Sequence, residues 1–198
     1  HSFCADNINS PTYILGNSVP LGTGQWSRRF AESQLLSDLD RSRSNSLSGG
    51  YIIWEDSARY EQLRKLKREV PGNELVLTEG ADRKNYFSQS PAERFQSWSS
   101  YKVSIQIPYS GDLSLRVFDS LLTGQIPIVP SDCHDLDLVV PEEIQEQLPI
   151  IRVDDLSPST IEAAADRGIE EFDRLGNSGV LDRHVFAREN HHVASRIQ

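Results

Sequence analysis

Six short apolar segments recur along the chain: Thr12–Leu15, Tyr51–Trp54, Glu74–Leu77, Tyr101–Ile107, Ile126–Val129 and Ile150–Val153. Stretches with helical spacing separate most of them, and this rhythm limits the fold more than any other feature of the chain. Four of the segments are nearly continuous apolar runs, the pattern of strands buried on both faces. Tyr101–Ile107 alternates more, with Val103, Ile105 and Ile107 on one face.

The intervening stretches carry helix signals. Trp26–Leu39 places Trp26, Phe30 and Leu36 on one face, and Ala58–Val70 does the same with Tyr60, Leu63 and Leu66. Pro71-Gly72 stops the second of these. Ser90-Pro91 opens a helix bearing Phe95 and Trp98, with proline at the favoured first position. Further helices are expected over Leu113–Leu122, Pro141–Leu148 and Ser159–Leu175, the last closed by Gly176, with a tail helix over about 181–197. Strands alternating with helices predict an α/β domain. The expected form is a doubly wound, Rossmann-like parallel sheet of about six strands, helices on both faces, filling 1–198 as one domain. Numbered along the chain, the expected strand order is 3-2-1-4-5-6. Ser42–Gly50 ("SRSNSLSGG") reads as a polar surface loop.

Bulk properties exclude several classes. The formal net charge of −9 argues against a general nucleic-acid binder, which needs basic surface to neutralise phosphates. No apolar run reaches membrane-spanning length. Two cysteines are too few for a disulfide framework, so a reducing, cytoplasmic setting is expected. Arg59–Glu69 is basic enough to touch an anionic lipid surface, although a solvated helix face accounts for it more simply. The chain begins at His1 and lacks methionine, so a non-native start with sequence upstream is expected.

Arg116 stands out because it falls in the first turn of an expected helix, where the dipole disfavours a cation. A crevice is expected between the carboxyl ends of the first and fourth strands, where the winding reverses. Two glycine-bearing loops would face it, Gly16–Gln25 and Pro108–Leu113, each leading into a helix N-terminus suited to an anion. Arg28 and Arg29 lie early in one helix and Arg116 early in the other. Two readings fit Arg116. It meets a diphosphate in the crevice, or it pairs with Asp119 three residues on.

The stretch "YKVSIQIPYSGDLSLRVFDSLLTGQIPIVPSD" resembles the donor-binding half of GT-B glycosyltransferases, exostosin-like ones in particular. The shared pattern comprises Gly111, Ser114, Arg116, Asp119, Leu122, Gly124 and the strand Ile126–Val129. The resemblance implies a nucleotide-sugar donor, with Gly111, Ser114 and Arg116 at its diphosphate; the two-loop crevice adds Gly24 from the other loop and Arg28 from the helix after it. It implies that Asp119 meets ribose or sugar hydroxyls, one methylene shorter than the glutamate many relatives carry. Glu79–Phe87 offers Tyr86 and Phe87 to stack on the base, although plain core packing accounts for either one more simply. A glycan or other acceptor and a second Rossmann-like domain, upstream or in trans, are implied as partners. The catalytic base is left unassigned, because it commonly comes from the other domain. A fixed arginine and helix amides stabilise a departing nucleoside diphosphate without metal, so no metal or cofactor is expected. A degenerate, non-catalytic nucleotide-binding or scaffolding module is the alternative.

Other signals are weaker. "GTGQWS" (22–27) only partly matches a dinucleotide fingerprint, and Glu55 and Asp56 come too late for its acidic partner, which disfavours an oxidoreductase. "SDCHDLD" (131–137) gathers Asp132, Cys133, His134, Asp135 and Asp137, and reads as a polar turn before it reads as a metal site. His184, His191 and His192 read as surface or packing residues.

Overall fold

The computed structural model describes residues 25–53, 58–79, 88–108, 113–133 and 136–196. In chain order the elements are α1 (Arg28–Ser37), β1 (Ser44–Ile53), α2 (Ala58–Glu69), β2 (Asn73–Glu79), α3 (Pro91–Ser99), β3 (Tyr101–Ile105) and α4 (Leu115–Leu122). Then come β4 (Ile126–Pro130), α5 (Leu136–Val139), α6 (Glu142–Gln147), β5 (Ile151–Val153), α7 (Pro158–Asn190) and α8 (Val193–Arg196). Among the described residues the sheet has five strands, all parallel, in the order β2-β1-β3-β4-β5. The fold is doubly wound, as the alternation predicts. Right-handed crossovers carry β1 to β2 through α2 and β3 to β4 through α4, in opposite directions, so these two helices cover opposite faces.

The expected strand order needs correction. Thr12–Leu15 lies outside the described residues, and both edges of β3 are taken, by β1 and β4. The strand beside Tyr101–Ile105 at the reversal is therefore Ser44–Ile53. The polar stretch read as a surface loop is most of that strand, a second correction. Its serines are tied down by tertiary contacts. Ser48 Oγ donates to Val103 O at 2.8 Å and accepts from Gln125 Nε2 at 3.1 Å. Beside them the hydroxyls of Ser104 and Ser120 lie 2.8 Å apart, and Gln106 Nε2 donates to both. Buried polar groups are tolerated where they are mutually satisfied, and this seam joins β1 and β3 to the underside of α4. Gly49 is required by packing, since a Cβ there would meet Leu75 Cδ2 at 2.9 Å and Ile105 Cγ2 at 3.1 Å.

The other boundaries follow local chemistry. Ser27, Ser90, Ser114 and Ser157 each cap a helix, and Ser90 forms a reciprocal capping box with Glu93. In α1 the inward residues are Ala31 and Leu35, while Leu36 is 56% exposed, against the expected face. The two expected C-terminal helices form one run broken at Gly176, whose φ of 57° and ψ of −152° are not helical. Before the break α7 packs on β3, β4 and β5, and Gly168 lets it approach so closely that a Cβ would sit 2.7 Å from Val103 Cγ1. Beyond the break α7 crosses to α4, where His184 Nδ1 lies 2.6 Å from Leu122 O.

Candidate functional site: a cleft at the reversal of the sheet

At the carboxyl ends of β1 and β3 the chain leaves in opposite directions, and crevices of this kind bind ligands in open α/β sheets. Tyr51 knits the two strand ends together. Its hydroxyl donates to Ile105 O at 2.7 Å and accepts from Ile107 N at 3.0 Å. Burial pushes its pKa up, against the pull of the Ile107 hydrogen bond and of the arginines 116 and 59. The phenol is therefore held in its neutral form.

Arg116 is the second residue of α4. Its backbone N–H donates to the Ser114 hydroxyl at 3.3 Å, so the N-cap residue holds the arginine's own backbone. The guanidinium carbon lies 5.6 Å from the Tyr51 ring centroid, a cation–π distance. No salt bridge joins it to Asp119 or to any other described residue. That removes the helix-pair explanation for a first-turn cation. Asp119 is 7% exposed, and its Oδ2 accepts from Gln25 Nε2 at 3.4 Å. Gln25, the first described residue, thus contacts α4.

A cleft of about 150 Å³ runs along the sheet below Arg116, lined among others by Gly50, Tyr51, Thr78, Trp98 and Gln106. Gly50 keeps its upper end open: a Cβ there would come 3.7 Å from Arg116 Nη1. The N-terminal amides of α4 and the guanidinium form an anion-favouring corner at that end. The Ser114 hydroxyl accepts from within the turn and keeps its hydrogen free to donate outward.

Arg28 is not among the residues lining the cleft. Its Nη2 pairs with Glu189 at 2.6 Å, on the tail of α7. The second arginine at the reversal is Arg59, the second residue of α2, whose guanidinium carbon lies 5.1 Å from the same Tyr51 ring. Sequence reading missed Arg59 and Tyr51 because the strand partner was misassigned. With Ser44–Ile53 beside β3, a basic residue early in each following helix is the signal that finds them. Gly24, Gly111, Tyr86 and Phe87 lie outside the described residues.

Among the described residues no group of three or more His, Cys, Asp or Glu side chains could hold a metal ion. Asp137 instead pairs with Arg152 at 2.9 Å, while His134 and Asp135 lie outside the described residues. The three tail histidines pack inside. His191 stacks on Phe118 with centroids 4.3 Å apart, and His192 Nε2 lies 2.8 Å from Trp26 O. No described helix is long and apolar enough to cross a membrane.

No protein-family model matches the chain, and no curated protein is similar to it in sequence. Similar solved structures include the glycotransferase of kitacinnamycin, 13% identical over 80% of this chain and 44% of that one, with a TM-score of 0.48. A GtfA/B complex is 11% identical over 79% of this chain and 35% of that one, with a TM-score of 0.44. The chain spans less than half the length of either.

Proposed function

We propose that this chain is the donor-binding domain of a GT-B glycosyltransferase, transferring a sugar from a nucleotide-sugar to a glycan or other acceptor. One observation carries the reading: Arg116 stands in a helix first turn, at the switch point of the sheet, with no carboxylate paired to it among the described residues. A first-turn cation costs about 0.3–1 kcal/mol unless an anion compensates. A diphosphate between Arg116 and the α4 amides supplies that anion, and the Ser114 hydroxyl donates to it. Arg59, across the reversal, adds a second positive charge. As the glycosidic bond breaks, negative charge grows on the leaving diphosphate. A guanidinium and helix amides already aimed at it lower the barrier without reorganising. No metal is required in this scheme.

The cleft is small for the whole ligand. Its volume of about 150 Å³ falls below the roughly 300–1,000 Å³ of typical small-molecule sites. A second Rossmann-like domain, upstream or in trans, would close over the sugar and supply acceptor and base. The reading assigns ribose or sugar hydroxyls to Asp119, which is 7% exposed beside Gln25 and is not among the residues lining the cleft.

Two-dimensional amide NMR of the chain with a series of nucleoside diphosphates tests the placement. The Gly50 and Ser114–Val117 amides should shift in a saturable way. Shifts confined to other faces of the sheet would refute it.

A further inference from the structure

A second basic cluster lies at the opposite end of the sheet, where α4 finishes and β1 and β3 begin. Arg43 Nη1 donates to Thr123 O at 2.9 Å, and Arg183 Nε donates to Gly124 O at 3.0 Å. Both guanidinium carbons sit 5.3 Å from the Phe172 ring centroid. Cations suit a helix C-terminus, and these contacts use one N–H of each arginine. They leave Arg43 Nη2 and both Nη atoms of Arg183 buried without a hydrogen-bond partner among the described residues. Arg183 is fully buried and Arg43 is 7% exposed, and no salt bridge to a described residue reaches either. Burial pushes Arg183 down to about 9 and Arg43 to about 10. Arg43 further disfavours the charge on Arg183, and the opposing pulls of Asp182 and Asp38 are weaker than burial. A buried cation without a salt bridge is costly, and one capping hydrogen bond from each arginine offsets only part of that cost.

Beside Arg43 is a cavity of about 240 Å³, lined also by Arg41, Ser42, Lys102, Asp173 and Asn177. Three of the lining residues are basic and one is acidic, in a chain whose net charge is −9. The acid is already engaged, since Asp173 pairs with Lys102 at 2.6 Å. Asn177 Nδ2 donates to Asp40 at 2.9 Å, and Arg41 stands 4.0 Å from Asp38.

We propose that this cavity binds a small oxyanion of the phosphate class, held by Arg43, Arg41, Lys102 and the Ser42 hydroxyl. Arg183 stands behind it as buried positive charge. The oxyanion gives Arg43 the ionic partner that no described residue gives it, whereas Arg41 and Lys102 already stand beside Asp38 and Asp173. The site is separate from the Arg116 cleft and does not depend on the glycosyltransferase reading.

Thermal unfolding of the chain in inorganic phosphate, against chloride at equal ionic strength and pH, tests the proposal. Phosphate should raise Tm in a saturable way, and Arg116→Ala should keep that response. Arg41 and Lys102 are less buried than Arg43, so a double Arg41→Ala, Lys102→Ala variant should fold and lose at least about ten-fold in phosphate affinity. Asp173→Asn should gain affinity. Phenyl phosphate matching inorganic phosphate would point to a phosphate carried on a larger ligand; its failure to bind would point to the free ion. The proposal is overturned if phosphate raises Tm no more than chloride, if the double variant binds phosphate normally, or if Arg116→Ala abolishes the response.

Discussion

Tyr51→Phe separates what the tyrosine hydroxyl does from what its ring does. The hydroxyl ties β1 to the end of β3, donating to Ile105 O and accepting from Ile107 N. Tyr51 and Ile107 are 3% and 5% exposed, so water cannot readily replace the lost oxygen. Leaving the Ile107 N–H unpaired costs about 1–3 kcal/mol, and the lost bond to Ile105 adds about 1 kcal/mol. A destabilisation of about 2–4 kcal/mol corresponds to a fall in Tm of roughly 4–15 °C for a chain this size. The phenyl ring remains under Arg116, so the cation–π contact survives. Ile107 lies shortly before Ser114 in the chain, and loosening that strand end should also weaken nucleoside-diphosphate binding. Differential scanning calorimetry and urea unfolding measure the stability change. A variant that melts within about 1 °C of the parent would show that Ile105 and Ile107 find other partners, and that Tyr51 does not hold the cleft together.

Other substitutions probe the same frame. Gly50→Ala should fold normally, its Cβ resting 3.7 Å from Arg116 Nη1, whereas Gly50→Leu should fill the cleft and block nucleoside-diphosphate binding in a fluorescence titration. Gly124→Ala should lower stability by about 2–4 kcal/mol in urea unfolding, because φ is +79° and the new Cβ would lie 2.6 Å from Val180 Cγ1. Burial holds the His184 pKa below its ordinary value, so the unfolded chain takes up that proton first. Stability should therefore fall as pH drops below about 6.5, by at most about 1.4 kcal/mol per pH unit, and His184→Gln should flatten this dependence in pH-dependent denaturation.

Much of the fold was legible because it rests on local signals. Ser90-Pro91 and Ser157-Pro158 open helices where their capping chemistry places them, and the apolar runs at Ile126–Val129 and Ile150–Val153 fall in the parallel strands β4 and β5. The serine- and glycine-rich part of Ser44–Ile53, before Tyr51, was not legible as strand, because its serines are satisfied by side chains such as Gln125, far away in sequence. The expectation that Thr12–Leu15 lies beside Tyr101–Ile107 moved the reversal of the sheet to the loop after that segment. It therefore favoured Arg28, which pairs with Glu189, over Arg59. Arg116 was legible because a cation in a helix first turn conflicts with local electrostatics whatever its neighbours.

Calorimetric titration of the chain with nucleoside diphosphates, beside Arg116→Ala and Arg116→Lys, measures the donor site itself. A lost charge-assisted hydrogen bond is worth roughly 1.5–3 kcal/mol, so alanine should weaken binding by about ten-fold to a hundred-fold without lowering Tm. Lysine should restore part of it, keeping the charge without the two-pronged geometry. Affinity should be unchanged by a chelator. An alanine variant that binds nucleoside diphosphate as tightly as the parent, or a parent chain that binds none, would contradict the assignment of this cleft as a donor site.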